Sequence, residues 1–216
     1  MVRSFPVEMS TAGFLSLFKQ GRGGLFVLCG HPQVNSLAQK LLIVPLSCDY
    51  DITVLDAGNC FDPYLISRLA QASGRGPREF LSKILVSRSF TCHQTHALVR
   101  KVAQLKGNTS RLILVLDCLQ TFYDEDVPFA ERRALLMKTL VLLKEISRKG
   151  KKVLVASVDP PVDVRGQLDS LLVSAADKAV RLEIHQDGTP SFNLVKGTDG
   201  HFKEGSCPDD SFQEVM

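Results

Sequence analysis

Short apolar runs separated by helix-length amphipathic stretches constrain this chain more than any other feature of its sequence. Leu25-Phe26-Val27-Leu28-Cys29-Gly30 is continuously apolar and ends in glycine, as a strand buried on both faces does. Ile52-Thr53-Val54-Leu55-Asp56, Ile84 to Phe90, Leu112-Ile113-Leu114-Val115-Leu116-Asp117 and Lys152 to Ser157 repeat the pattern. The spacing between them predicts helices over Ser36 to Val44, Asp62-Pro63 to Ala70, Arg78 to Lys83, Thr91 to Leu105 and Pro128 to Arg148. Asp62-Pro63 supplies an N-cap and a first-turn proline, and Thr91-Cys92-His93-Gln94 has the form of a capping box. Strands alternating with such helices imply right-handed crossovers and a mainly parallel sheet covered on both faces. The run Leu112 to Asp117 is the strongest strand and is expected at the centre of the sheet. Ala179 to Ile184 and Phe192 to Val195, joined by Gln186-Asp187-Gly188-Thr189-Pro190, predict a C-terminal hairpin that extends the sheet antiparallel.

The ends of the chain read differently. Phe14, Leu15, Leu17 and Phe18 lie at helical spacing within Glu8 to Lys19, before a glycine-rich break at Gly21-Arg22-Gly23-Gly24. The organisation expected is therefore an N-terminal helix and linker over residues 1–24, one core domain over 25–196 and an acidic, flexible tail over 197–216. From Gly197 onward, Asp199, Glu204, Asp209, Asp210 and Glu214 face a single cation, Lys203; the rest of the chain carries 25 basic and 18 acidic residues, or +7. Such a surplus could bind a polyanion, but charge alone favours an ordinary solvated surface.

Composition excludes several classes. No apolar run approaches the ~20 residues of a membrane span, and no basic, apolar, cleavable leader opens the chain, so the expected location is cytoplasmic, or nuclear in a eukaryote, with no membrane partner. Cys29, Cys48, Cys60, Cys92, Cys118 and Cys207 form no CxxC pair and no zinc-ligand spacing, so they read as reduced thiols and no metal site is expected.

A parallel sheet binds its ligand at the C-terminal ends of its strands, which directs attention to the turn after the first one. Here it is Gly30-His31-Pro32-Gln33-Val34-Asn35-Ser36-Leu37. A phosphate loop of the form G-x-x-x-x-G-K-S/T uses glycines to bring amides onto phosphate, lysine to neutralise charge and a hydroxyl to bind Mg²⁺. This turn keeps the first glycine, but Asn35, Ser36 and Leu37 stand at the other three positions, and Lys40 lies a turn too late.

Further segments occur in a meaningful order. Asp56-Ala57-Gly58-Asn59-Cys60-Phe61-Asp62-Pro63 resembles the D-A-E-x-x-x-D-P segment of RecA-like recombinases. Val86-Ser87-Arg88-Ser89-Phe90-Thr91-Cys92-His93-Gln94 resembles the A-R-A-F-N-x-x-H-Q segment of their archaeal and eukaryotic members, and the strand ending in Asp117 looks like their Walker B strand. Over Leu25 to Lys196 the chain thus resembles a divergent RecA-like recombinase paralogue with a degenerate Walker A motif. The resemblance implies an α/β fold of the RecA-like P-loop NTPase type. It also implies that Asp117 matches the carboxylate orienting Mg²⁺, and that Gly58 stands where the family carries its catalytic glutamate. No catalytic residue is then expected, and no cofactor, with weak binding of ATP and Mg²⁺ at Gly30 to Leu37 and Asp117 as an open alternative.

The function implied is that of a non-catalytic paralogue assisting DNA recombination or repair, binding DNA, a recombinase-like protein or a second copy of itself. The family's DNA loops match Gln120 to Val127 and Asp159 to Leu168; Asp124, Glu125 and Asp126 repel phosphate in the first, and only Arg165 is basic in the second. The better nucleic-acid candidates are Arg75, Arg78, Lys83 and Arg88, followed by Arg148, Lys149, Lys151 and Lys152, which also suit a solvated helix end. The alternative is a scaffold subunit without nucleic-acid contact, with the segment around Phe14 and Phe18 as its interface. His31, His93 and His96 form no triad-like arrangement that would indicate another enzyme class.

Overall fold

The computed structural model describes residues 7–9, 23–105, 109–160 and 167–197. Its strands are β1 (Val7–Met9), β2 (Gly24–Gly30), β3 (Ile52–Asp56), β4 (Ile84–Arg88), β5 (Leu112–Leu116), β6 (Lys152–Val158), β7 (Lys178–Ile184) and β8 (Pro190–Lys196). Its helices are α1 (Val34–Lys40), α2 (Ile43–Ser47), α3 (Pro63–Ala72), α4 (Pro77–Leu81), α5 (Cys92–Gln104), α6 (Phe129–Arg148) and α7 (Gln167–Ala175). The strands form one sheet in the order β1-β8-β7-β2-β6-β5-β3-β4, parallel from β7 to β4 and antiparallel at β8.

Alternation along the buried strands sends successive side chains to opposite faces. Phe26, Leu28, Val54, Leu114 and Leu154 pack under α1 to α4 with Leu42, Ile66 and Phe80. Leu25, Val27, Ile113, Val115 and Val153 pack under α5 to α7 with Val99, Leu136, Leu143 and Leu172. Both faces of the sheet are therefore covered, which is why β2, β3 and β5 are buried throughout and mostly apolar, with Thr53 and Asp56 as the polar residues of β3.

Five local expectations change. Glu8 and Met9 belong to a strand that pairs with Asn193 and Phe192 of β8, because an unfilled sheet edge offers backbone partners that a short helix would forgo; the rest of the expected helix lies outside the described residues. The helix expected over Ser36 to Val44 is two helices divided at Leu41 and Leu42, with Pro45 inside the first turn of α2, where it needs no amide. β5 is an interior strand between β6 and β3, while β2 and β6 hold the middle of the order. The C-terminal hairpin forms as expected, with β8 antiparallel to β7, but it joins the sheet in parallel, since β7 pairs parallel to β2. The segment read as loop to Leu168 enters α7 at Gln167, with Leu168 and Leu172 buried against the sheet. The expected tail, with Cys207, lies outside the described residues, as does Arg165.

Candidate functional site

The C-terminal ends of β2, β3, β5 and β6 bring together the turn after Gly30, Asp56, Asp117 and Asp159. Gly30 has φ 117°, and a Cβ there would stand 2.4 Å from the Leu182 carbonyl oxygen. Only glycine admits this approach, so the residue is required by the packing of β2 on β7. The turn itself is short, with α1 beginning at Val34, which is fully buried. His31 N–H donates to Leu182 O (3.0 Å), Gln33 N–H to His31 Nδ1 (3.2 Å) and Val34 N–H to His31 O (2.9 Å), while Pro32 has no N–H. Of the amides that a phosphate loop would direct at its ligand, those of His31, Gln33 and Val34 are here engaged within the protein. The cation beside Gly30 is Arg181, whose Cγ lies 3.2 Å from that Cβ position, and Arg181 is ion-paired to Asp159.

Asp56 is completely buried at the end of β3. Its Oδ1 accepts from Cys60 N–H (2.9 Å), and its Oδ2 accepts from Phe61 N–H (3.2 Å) and from Arg88 Nε (3.3 Å). The carboxylate thus folds the following loop back over the strand and draws in the last residue of β4. Gln39 braces the same loop from α1: its Nε2 donates to Asn35 O and Cys60 O, both at 3.1 Å, and its Oε1 accepts from Asp62 N–H at 2.7 Å. Nothing in the sequence distinguished Gln39, since a polar residue on a short helix reads as exposed until the neighbouring loop is in place.

Asp117 follows β5 in the left-handed region, φ 48°, which aspartate tolerates better than most residues. Its Oδ1 accepts from Val158 N–H (3.1 Å), and Asn35 hydrogen-bonds the same carboxylate. Burial pushes the Asp117 carboxyl above the usual range, the two hydrogen bonds oppose that shift, and the Asp56 charge adds to it. Gly58 lies directly against it: a Cβ at position 58 would meet Asp117 Cβ at 2.4 Å and Oδ2 at 2.9 Å. The space for a side chain at the family's glutamate position is therefore occupied by Asp117. Nearby, burial pushes the Cys60 thiol up to about 12, with Asp56 and Asp117 adding to the shift, so it stays protonated and unreactive at neutral pH.

The expected nucleic-acid residues separate. Arg88 stands at this end of the sheet, paired with Asp56. Arg75, Arg78 and Lys83 lie at the opposite end, before the start of β4, as do Arg148, Lys149, Lys151 and Lys152 before and at the start of β6. Arg75 pairs with Glu79, and Lys83 with Asp49 (2.9 Å). Lys149 Nζ donates to Ala103 O (3.2 Å) and Lys151 Nζ to Ser110 O (2.8 Å). His93 contacts Glu131 (3.0 Å) and His96 contacts Thr139 (3.1 Å), both between α5 and α6 and away from His31.

Sequence reasoning missed a groove of about 550 Å³ beside β4, apolar at Leu85, Leu98, Val102 and Leu105 and polar toward the start of the strand, where Asp51, Lys83 and Lys101 line it. Among the described residues β4 pairs only with β3 and closes the sheet on that side, and Leu85 is 62% exposed. The apolar run Ile84-Leu85-Val86 marked a strand, but only its place in the sheet order makes it an edge. Among the described residues no helix is long and apolar enough to cross a membrane. In comparison with known proteins, the family model described as Rad51 matches residues 24–177.

Proposed function

Since the chain belongs to the Rad51 family, and so to the recombination- and repair-related RecA-like proteins, we propose that it assists recombination without turning over nucleotide, by holding an extended segment of a partner chain along β4. The partner class is a recombinase-like protein or a second copy of this chain. The observation that carries the reading is the edge of β4, unpaired among the described residues, lying against a groove whose wall includes Leu85, Leu98, Val102 and Leu105. Natural edge strands are commonly shielded by lysine, proline or a bulge; β4 has none before its final Arg88, and its Ile84-Leu85-Val86 run is apolar. An added strand would take main-chain hydrogen bonds from β4 and place alternate side chains in the groove.

Three features support the absence of turnover: the engaged amides of the turn after Gly30, the pairing of Arg181 with Asp159, and the filling of the space at Gly58 by Asp117. Catalysis by a positioned base contributes about 10²–10⁴-fold in rate, and this site offers no side chain at that position.

Sedimentation of the protein alone and with the recombinase of its organism tests the docking. Leu85→Asp, at an exposed position, is expected to weaken the complex at least tenfold while leaving the fold intact. A complex of unchanged affinity in that variant, or no complex at all with either partner, sinks the proposal. Steady ATP hydrolysis abolished by Asp117→Asn would overturn the non-catalytic part.

A further inference from the structure

We propose that the rim formed by the N-terminal ends of the strands binds the phosphate backbone of a nucleic acid, at the opposite end of the sheet from the turn after Gly30. Backbone hydrogen bonds lay this rim out as a continuous row. Ile52 N–H donates to Lys83 O, Arg111 N–H to Asp51 O, Lys152 N–H to Arg111 O and Gly24 N–H to Lys151 O. The row runs across β4, β3, β5, β6 and β2 and places Lys83, Arg111, Lys151 and Lys152 along one line. From β4 to β6 these cations span three strand spacings of about 4.8 Å, or about 14 Å, the rise of about four nucleotides of one duplex strand at about 3.4 Å each.

The last turns of two helices widen the row on one face. Lys101 ends α5 and Arg148 ends α6, with Lys149 following and joined to α5 through Ala103 O. Cations at helix C-termini are favourable to the helix dipole, which accounts for these three. It does not account for Arg111, Lys151 and Lys152, which precede or begin strands. Arg111 is held in place by the half-exposed Tyr50 ring, 5.2 Å from its guanidinium carbon.

The acidic side chains of the rim are largely engaged. Asp49 pairs with Lys83, Glu79 with Arg75 and Asp177 with Lys144, and Asp51 accepts from the Thr109 hydroxyl. Among the described residues Arg78, Lys101, Arg111, Arg148 and Lys149 make no ion pair, and Glu145, a turn before Lys149, leaves the patch net positive. At the other end of the sheet, the loop after β5 presents Asp124, Glu125 and Asp126, a barrier to phosphate. A polyanion is thus repelled from one end and attracted to the other.

The test is fluorescence anisotropy of labelled single-stranded and duplex oligonucleotides with the full chain at two salt concentrations. Arg148→Glu/Lys149→Glu is expected to weaken binding at least tenfold at low salt. Arg133→Glu/Lys138→Glu, the same charge change at exposed positions in the middle of α6, is expected to change it less than twofold. Arg111→Gln, a milder substitution that keeps the test open if the double variant misfolds, is expected to lower the salt slope by about one. Equal loss in both double variants would mean that net charge alone attracts the oligonucleotide and would overturn the assignment. So would an unchanged slope for Arg111→Gln, or no binding by the unmodified protein at low salt. Leu85→Ala, which trims the β4 edge without adding charge beside Lys83 and Lys101, is expected to leave oligonucleotide binding unchanged, so the two proposals fail separately.

Discussion

Gly58 and Asp117 show how one pair of residues accounts for a vacant role. With 2.4 Å between a Cβ at position 58 and Asp117 Cβ, any side chain must push Asp117 from its hydrogen bond to Val158. Gly58→Ala is expected to destabilise the protein by about 1–3 kcal/mol, as overpacking of a filled site does, measured by urea unfolding. A Gly58→Ala protein as stable as the parent would contradict this packing. Asp117 carries a pH signature of its own. Its folded pKa is raised by burial above the unfolded value, so its contribution to stability is present below the unfolded carboxyl range and is lost as pH rises through the folded value. Asp117→Asn keeps an acceptor for Val158 N–H and cannot ionise, and its stability relative to the parent is therefore expected to improve from pH 4 to pH 7. Parallel unfolding curves at the two pH values check the sign, and a relative loss on going to pH 7 would refute it.

Among the elements, the helices that follow β3 and β4 are started by side chains that the sequence already displays. Asp62 Oδ1 accepts from Tyr64 N–H at 2.8 Å at the head of α3, with Pro63 at its first position. Thr91 accepts from Gln94 N–H at 3.2 Å at the head of α5, and Gln94 Oε1 returns a bond to Phe90 N–H at 2.8 Å, one residue before the cap. Thr91→Ala is expected to cost about 1 kcal/mol, seen as a lower Tm, and Asp62→Ala about the same. The exposed Asp62–Arg68 pair at 3.6 Å adds little to the second value. An unchanged Tm in both variants would mean that tertiary packing alone sets these helix starts. The β4 edge belongs to this scale as well, because its availability follows from having, among the described residues, a neighbour on one side only.

For the molecule as a whole, charge is divided between the ends of one sheet and between the core and residues 198–216, which carry five acidic residues and Lys203. Asp209→Asn/Asp210→Asn/Glu214→Gln removes three negative charges and is expected to tighten oligonucleotide binding at low salt. The gain should fade near 1 M salt, where the Debye length is about 3 Å. Weaker binding by that variant at low salt would show that the acidic stretch does not oppose the polyanion. Periodicity and caps determined β2 to β8, the helices between β2 and β6 apart from the break at Leu41, and the layered α/β class, because burial on both faces leaves its pattern in the interior strands. The departures at Gly58 and at Asn35 to Leu37 were equally plain, since a missing side chain is visible in one dimension. Only the tertiary structure decided that Gly30 serves the contact with Leu182, that Asp117 fills the space at Gly58, that Arg88 stands apart from Lys83 across the length of β4, and that Arg111 joins the lysines of β6 in one row. Each depends on strand order and register, which arise from contacts between residues distant in sequence, and a local pattern of residues carries no record of which strand will lie beside it.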